Sequence, residues 1–572
     1  MGSGAVYSIG LDYGSNSVRG LLVRCTDGAE VASSVFDYPS GTRGILLDAS
    51  RPSLARQHPG DYQDGFLHVV ADLVDQGSSL ADFSPDAVVG IGVDTTGSTP
   101  LPVDAECVPL GVREELRDDL DAQAWLWKDH TGHAESLEIT ALAHRRGEPY
   151  LRACGGTYSS EWFFSKILHC ARVAPHVFDA AHSWVELADY VPAWATGVTH
   201  PDDIVRGICA AGHKAMFDPR WGGLPSTAFL AELHPGLAAL RDRLYAVAFP
   251  SSHPAGGLAP HVAEQVGLPP GVVVAVGGFD AHHGAVGAGV TPGTLVKIIG
   301  TSTCDITIAP QGGTAVPDVP GLCGIVPGSV TPDAIGIEAG QSAVGDIFAW
   351  SAEQATSADF TGPDVHVALS KAAATLAPGE SGLLALDWHN GNRTVLVNTR
   401  LSGLLVGQTL HTRPHETYRA HVEATAFGAR RIIDRMGEHG IAIDTVVHTG
   451  GIADKNDVVN QIYADVLGRE VRIGASGQMC ALGAAIFGAV AGGAHTDVAS
   501  AQRAMAAGTS RTFHPDPDAA ATYDVLYVLY LTLHDAFGGV DTDDPAGRAA
   551  DIARVMPALM DLRDRVRSGG SA

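Results

Sequence analysis

Two short stretches about 290 residues apart read as one device used twice: GLDYGSNSVRG at residues 10–20 and VKIIGTSTCDI at 296–306. In each, an apolar and β-branched run enters Gly plus hydroxyl side chains, and a second apolar run leads away (18–23 and 306–308). That is the pattern of a strand, a tight turn and a second strand. Such a turn gathers backbone N–H groups and hydroxyls in a small concavity that suits phosphate oxygens. One Gly-Ser turn is ordinary in a hairpin. Two of them, each opening one half of a long chain, predict two related domains that grip one polyphosphate between them.

The bulk properties fit. At 572 residues the chain is too long for one core, and two or three domains are expected. No segment reaches the roughly 20 continuous apolar residues of a membrane span; the nearest, 481–494, is rich in Gly and Ala and reads as a packed helix. The N-terminus shows no basic region followed by an apolar run, so a cytoplasmic protein is expected, neither secreted nor in a membrane. A formal net charge of −27 argues against a nucleic-acid surface, which needs clustered Lys and Arg. An anionic ligand must then be held locally, by amides, a few cations and a divalent metal. The eight cysteines (25, 107, 154, 170, 209, 304, 323 and 480) form no CxxC pair and no zinc spacing, so reduced thiols are expected. Only six lysines occur, and five of them (128, 166, 214, 297 and 455) fall in segments that stand out for other reasons.

Strand and helix patterns alternate, as in an α/β protein. After the hairpin at 6–24, an apolar strand at 87–94 ends in Asp94 and runs into TTGST at 95–99. A strand that ends in Asp and small hydroxyl residues opens a site at the carboxyl edge of a sheet. Next come WLWKDH at 125–130 and a helical stretch at 161–170. A buried strand at 271–277 stops at Gly278-Phe279-Asp280 before small helix-packing residues at 281–289, which puts Asp280 at a helix N-terminus. The hairpin at 296 restarts the pattern. It is followed by IEAGQS at 337–342, a helix through 347–350, a polar loop at 388–394 and a strand at 445–449 that ends in GGIADKN. A helix then runs to about 467, and the tail reads as helices at 521–537 and 546–568.

The order of these motifs resembles the FGGY carbohydrate kinases, a branch of the actin-like ATPases. The resemblance rests on LDYGSNSVRG, GVDTTGSTP, WKDHT, YSSEWFFSKILH, ELADYVPAWATG, CAAGHKAMF, GGFDAHHGAVGAG, KIIGTSTCDI, IEAGQSAVGDIFAW, LDWHNGNRT, EATAFGAR, GGIADKN and CALGAAIF, which span nearly the whole chain. It implies two duplicated α/β domains of ribonuclease H-like fold with a cleft between them. The sugar-binding domain would cover 5–288, the ATP-binding domain 293–510, and a helical tail 511–572 would pack on the first domain or form a homodimer contact. Within the family, GTSTCDI, WKDHT and IEAGQSAVGDIFAW resemble the kinases of L-ribulose more than those of xylulose or glycerol.

The resemblance also implies roles. Asp280 would be the general base that takes the proton of the sugar hydroxyl as the bond to phosphorus forms. An ordinary carboxyl pKa is expected to suffice, and for the bare residue the plain alternative is a helix cap. Asp12, with Asp280, would hold Mg²⁺ through water. Gly14, Ser15 and Ser17 would meet the transferring end of ATP, Gly300, Thr301 and Ser302 its other phosphates, and Gly450, Gly451 and Asn456 its adenosine. Lys214 and Glu338 would bind the sugar over a floor at Gly97, with Trp127 and Asp129 as further contacts. His282 and His283 read as packing groups or as supports behind the residues that touch substrate. The expected reaction is transfer of the γ-phosphoryl of MgATP to the 5-hydroxyl of L-ribulose, giving L-ribulose 5-phosphate in arabinose catabolism. D-ribulose, ribitol or xylulose as substrate, and a non-catalytic regulator on the same fold, are the alternatives; Asp12, Asp280 and both hairpins speak against the regulator.

Overall fold

In the computed structural model, which describes residues 5–311, 318–355, 360, 362 and 364–569, the first hairpin closes where the sequence predicts. Strands β1 (Tyr7–Tyr13) and β2 (Ser17–Arg24) pair antiparallel, with Tyr13 opposite Val18 and Asp12 opposite Arg19. β3 (Glu30–Asp37) adds antiparallel to β2, and helix α1 (Pro59–Gly77) lays Tyr62, Phe66, Val69, Val70 and Leu73 against this face. The helical crossover lets β4 (Val88–Thr95) return parallel to β1, with Asp94 opposite Asp12. β5 (Pro254–Gly257), β6 (Val273–Ala275) and β7 (Gly278–Phe279) complete a sheet of order β3-β2-β1-β4-β6-β5, with β7 also paired to β4. Between β4 and β5 the chain builds a lobe with its own core, including Trp125, Phe163, Phe164, Trp184 and Phe229, and this lobe carries helix α2 (Ile208–Lys214). Helix α3 (Asp280–Gly287) starts directly after β7.

The second half repeats the plan. β8 (Thr294–Ile299) and β9 (Thr303–Pro310) form the second hairpin, extended by β10 (Gly324–Pro327) and β11 (Ala334–Ala339); β12 (Thr445–Thr449) runs parallel to β8, and β13 (Val471–Gly474) and β14 (Thr509–Phe513) finish the order β10-β11-β9-β8-β12-β13-β14. Both turns close on a glycine N–H: Gly14 donates to the Ser17 carbonyl and Gly300 to the Ser302 carbonyl, each at 2.9 Å. The helices of this half include α4 (Gly345–Gln354), α5 (Pro414–Glu438), α6 (Gly451–Lys455), α7 (Asp457–Leu467) and α8 (Met479–Ala491), followed by α9 (Pro517–Phe537) and α10 (Pro545–Arg567).

Helix α8 joins the halves. It comes late in the chain, yet it lies on β1 and β4 of the first sheet, beside α3, which in turn touches β9 of the second. Glycines make that approach fit: a Cβ on Gly10 would fall 1.8 Å from the Ala481 carbonyl oxygen, and one on Gly92 1.8 Å from that of Ala484. The tail packs on the second half, not the first. Tyr523 and Tyr530 of α9 place their rings 6.0 and 5.3 Å from Phe427 of α5, and Arg419 of α5 donates to the Tyr523 hydroxyl at 2.9 Å. Among the described residues no helix is long and apolar enough to cross a membrane, and all eight cysteines are unpaired.

Candidate active site

Sheet register assembles the floor of the cleft. Asp12 and Asp94 face each other across β1 and β4, and Gly278 of β7 lies opposite Asp94, so Asp280 emerges two residues further on as the first residue of α3. Asp94 is fully buried, and neither of its carboxylate oxygens has a hydrogen-bond partner in the structure. Donor atoms of Asp12, Asp94 and Cys480 lie within 4.8 Å of one another. Two carboxylates with free oxygens are the hard donor set that Mg²⁺ takes. Burial, and next the charge of Asp12, push the Asp280 carboxyl up to about 7, against the pull of the Ala281 N–H at 2.7 Å and of Lys214. An ordinary carboxyl pKa would suffice for a base here; low solvation and a like charge raise this one toward neutrality.

Glu338, on β11 of the second sheet, anchors the opposite side. Lys214, in the last turn of α2, places Nζ 3.3 and 3.4 Å from its two oxygens, Arg393 Nη2 is at 2.8 Å, and His213 Nδ1 is at 3.3 Å. Burial alone would raise the Glu338 carboxyl, but Lys214, with Arg393, outweighs it and holds it well below its usual range. His213 Nε2 in turn lies 3.0 Å from Ser329 Oγ and 3.1 Å from His282 Nε2. Burial keeps both rings neutral, pushing His282 down to about 4. One of the two facing Nε2 atoms donates to the other, so His282 ties the helix of Asp280 to His213, which lies beside Glu338 across the cleft. Gly97 lies against Phe279, the residue before Asp280, and a Cβ there would fall 2.3 Å from the ring. The turn after Gly97 is braced by Lys166, whose Nζ donates to the carbonyls of Ser98, Trp125 and Leu126 at 2.8, 3.1 and 2.9 Å.

Trp127 and Asp129, expected at the sugar, separate. The half-buried Trp127 indole donates to Ser15 Oγ at 2.9 Å and so borders the first turn. Asp129 is fully buried and takes no place in the cleft: it pairs with Arg56 and accepts from the N–H groups of Ala55 at 2.9 Å and Thr131 at 3.1 Å. The reason is Arg56, whose buried guanidinium lies 3.4 Å over the Trp125 ring and needs a counter-charge there.

At the second turn Gly300 and Thr301 are exposed, with their carbonyls taken by the N–H groups of Gly345 at 3.1 Å and Val344 at 2.8 Å. Buried Lys297 steadies the hairpin from below, donating to both oxygens of Asp305 at 2.9 Å and to Gln341 Oε1 at 2.7 Å. Gly450, at φ 98°, sits where a Cβ would be 2.5 Å from the Ile299 carbonyl oxygen, which brings the 450 turn against the phosphate hairpin. Gly451 is exposed to open space. Asn456 caps α7 through Val459 N–H at 3.2 Å and donates to Ser370 Oγ at 2.9 Å, so both ends of its side chain are engaged within the protein. Ser17 is buried and acts through its carbonyl, while Gly14 and Ser15 are half-buried and Asn16 is the exposed residue of the first turn. Sequence reasoning placed Asp94 at a site-opening strand end without a specific role, and gave none to His213, Arg393 or Lys166. Each lies inside a segment it had singled out.

Residues 295–492 match the model for "FGGY family of carbohydrate kinases, C-terminal domain". The chain is 41% identical to a ribulokinase of Shouchella clausii (strain KSM-K16), over 98% of this chain and 99% of that one, and 41% identical to a ribulokinase of Mycolicibacterium smegmatis over 98% of each. Among solved structures, a xylulose kinase from Rhodospirillum rubrum superposes with a TM-score of 0.75 at 24% identity, covering 92% of this chain and 99% of that one. The Plasmodium falciparum glycerol kinase with ADP superposes at 0.73 and 14%, covering 92% and 98%. At these identities the structural likeness speaks for the fold alone.

Proposed function

The chain belongs to the FGGY family of carbohydrate kinases, and from that premise we propose that it transfers the γ-phosphoryl group of ATP to the 5-hydroxyl of L-ribulose. The observation that carries this reading is the near-full-length likeness to ribulokinases at about 41% identity. The cleft is chemically apt for it. Asp280, held near neutrality, is matched to accept a hydroxyl proton at physiological pH. Glu338 accepts from vicinal sugar hydroxyls, while Lys214 and Arg393 donate to sugar oxygens and keep Glu338 ionised. The Gly14–Ser15 and Gly300–Ser302 turns face the phosphates, and closure of the two halves aligns donor and acceptor and excludes water, the competing nucleophile. Asp12 and Asp280 would hold Mg²⁺, which would supply positive charge to offset that of the phosphates.

Coupled assays of ADP release over L-ribulose, D-ribulose, ribitol, D-xylulose and glycerol test the proposal. Preference for L-ribulose in kcat/KM is expected. Activity on L-ribulose no better than on xylulose or glycerol would overturn the substrate assignment.

A further inference from the structure

The proposed function uses Asp12 and Asp280 and leaves Asp94 idle, although Asp94 is the most anomalous side chain in the cleft. Its side chain is 0% exposed, it lies one residue before the end of β4 between Asp12 and the β7–α3 junction, and neither oxygen meets a hydrogen-bond donor. The nearest ring nitrogen, His283 Nδ1, is 4.0 Å from Asp94 Oδ2 and is itself buried without a partner. Two carboxyls this close, buried Asp94 and half-buried Asp12, are unfavourable together unless a proton or a cation lies between them.

The duplicated fold supplies an internal comparison. Aligned on their turn glycines, Gly14 and Gly300, the two hairpins place Ile298 of β8 at the position of Asp12, and Ile298 pairs with Thr449 of β12 as Asp12 pairs with Asp94 of β4. The same register thus works with an apolar and a hydroxyl side chain. Neither carboxylate is required by the architecture, and the acidic pair belongs to the first half's chemistry.

We infer that Asp94 is a direct ligand of the divalent cation together with Asp12, binding from the buried side of the site while nucleotide binds from the cleft. The inference rests on the reading of this cleft as an ATP and Mg²⁺ site. Asp94 and Asp12 offer the oxygens, whereas the soft thiol of Cys480, although within the same 4.8 Å group, is a poor donor to a hard cation.

Mn²⁺ serves as probe, titrated into the full-length protein without nucleotide and followed by the EPR signal of the free ion. The wild type is expected to bind one Mn²⁺, and Asp94→Asn and Asp12→Asn each to bind it at least about tenfold more weakly. Thermal melts supply a second readout. Without metal, Asp94→Asn should melt at or above the wild type, because an unpartnered buried carboxylate has gone; with Mn²⁺ the wild type should gain more than the variant. Wild-type Mn²⁺ affinity in Asp94→Asn alongside weakened binding in Asp12→Asn would overturn the role of Asp94 and leave the wider reading standing. A metal-free melt clearly below wild type in both Asp94→Asn and Asp94→Ser would likewise overturn it, by making Asp94 structural. Absence of Mn²⁺ binding by the wild type, with and without ADP, would overturn the metal site itself.

Discussion

At the scale of single residues, the cleft works by placing charges where solvent does not reach them. Asp280 is useful only when ionised, and its carboxyl is held at about 7 by burial first and Asp12 second. The sign follows: kcat/KM should fall as pH drops through about 7, and added Mg²⁺, which favours the ionised form, should move that limb to lower pH. A pH profile at two Mg²⁺ concentrations measures both. Asp280→Asn removes the proton acceptor and should lower kcat by roughly 10²–10⁴-fold with a smaller change in KM, which steady-state kinetics would read. Glu338→Gln leaves buried Lys214 and half-buried Arg393 without their counter-charge; by the usual effect of halving a buried pair, here Lys214–Glu338, stability should fall by about 3–5 kcal/mol, seen as a lower Tm, together with a raised KM for the sugar. Scarcity made some of these residues legible. With six lysines in the chain, the fact that Lys166, Lys214 and Lys297 are each almost wholly buried gives physical content to their appearance in notable segments. Asp129 was misread because its partner Arg56, more than seventy positions earlier in the chain, carries no local signal of its own.

At the scale of elements, the hairpins were legible because period-two apolar runs around a Gly-hydroxyl turn have few other ways to fold. The helix at 479–491 was legible as a packed helix, but not its partner. Its place is decided by Gly10, Gly90 and Gly92 on two strands far away in sequence, which leave room for its backbone against the first sheet. Gly92→Val should therefore be severely destabilising, since even a Cβ there would meet the Ala484 carbonyl oxygen at 1.8 Å and neither backbone can yield without separating helix from sheet. Soluble yield and Tm are the measurements; a variant that melts with wild type would show that the helix does not depend on that approach.

At the scale of the whole molecule, the two halves are not separable pieces. α8 covers the first sheet while α3 reaches the second, so a boundary drawn between 288 and 293 cuts through a shared apolar layer. A fragment beginning at 293 would expose the α8 face and is expected to be insoluble or molten, which circular dichroism and dye binding would show. Removal of residues 516–572 should also fail, because Tyr523, Leu526, Tyr530 and Leu559 belong to the core of the second half.

By itself the sequence determined the duplicated hairpin, the α/β alternation, the FGGY likeness and the position of Asp280 at a strand-to-helix switch, because each is written in local periodicity, turn chemistry or an ordered run of motifs. Only the tertiary structure decided that Asp94 stands unpartnered beside Asp12, that His213 and His282 brace Glu338 across the cleft, that Asp129 belongs to Arg56, and that the tail belongs to the second half. Those facts depend on which distant residues share a buried, low-dielectric space. There charge, hydrogen-bond supply and close backbone approach are settled jointly, by groups that no local stretch of chain contains.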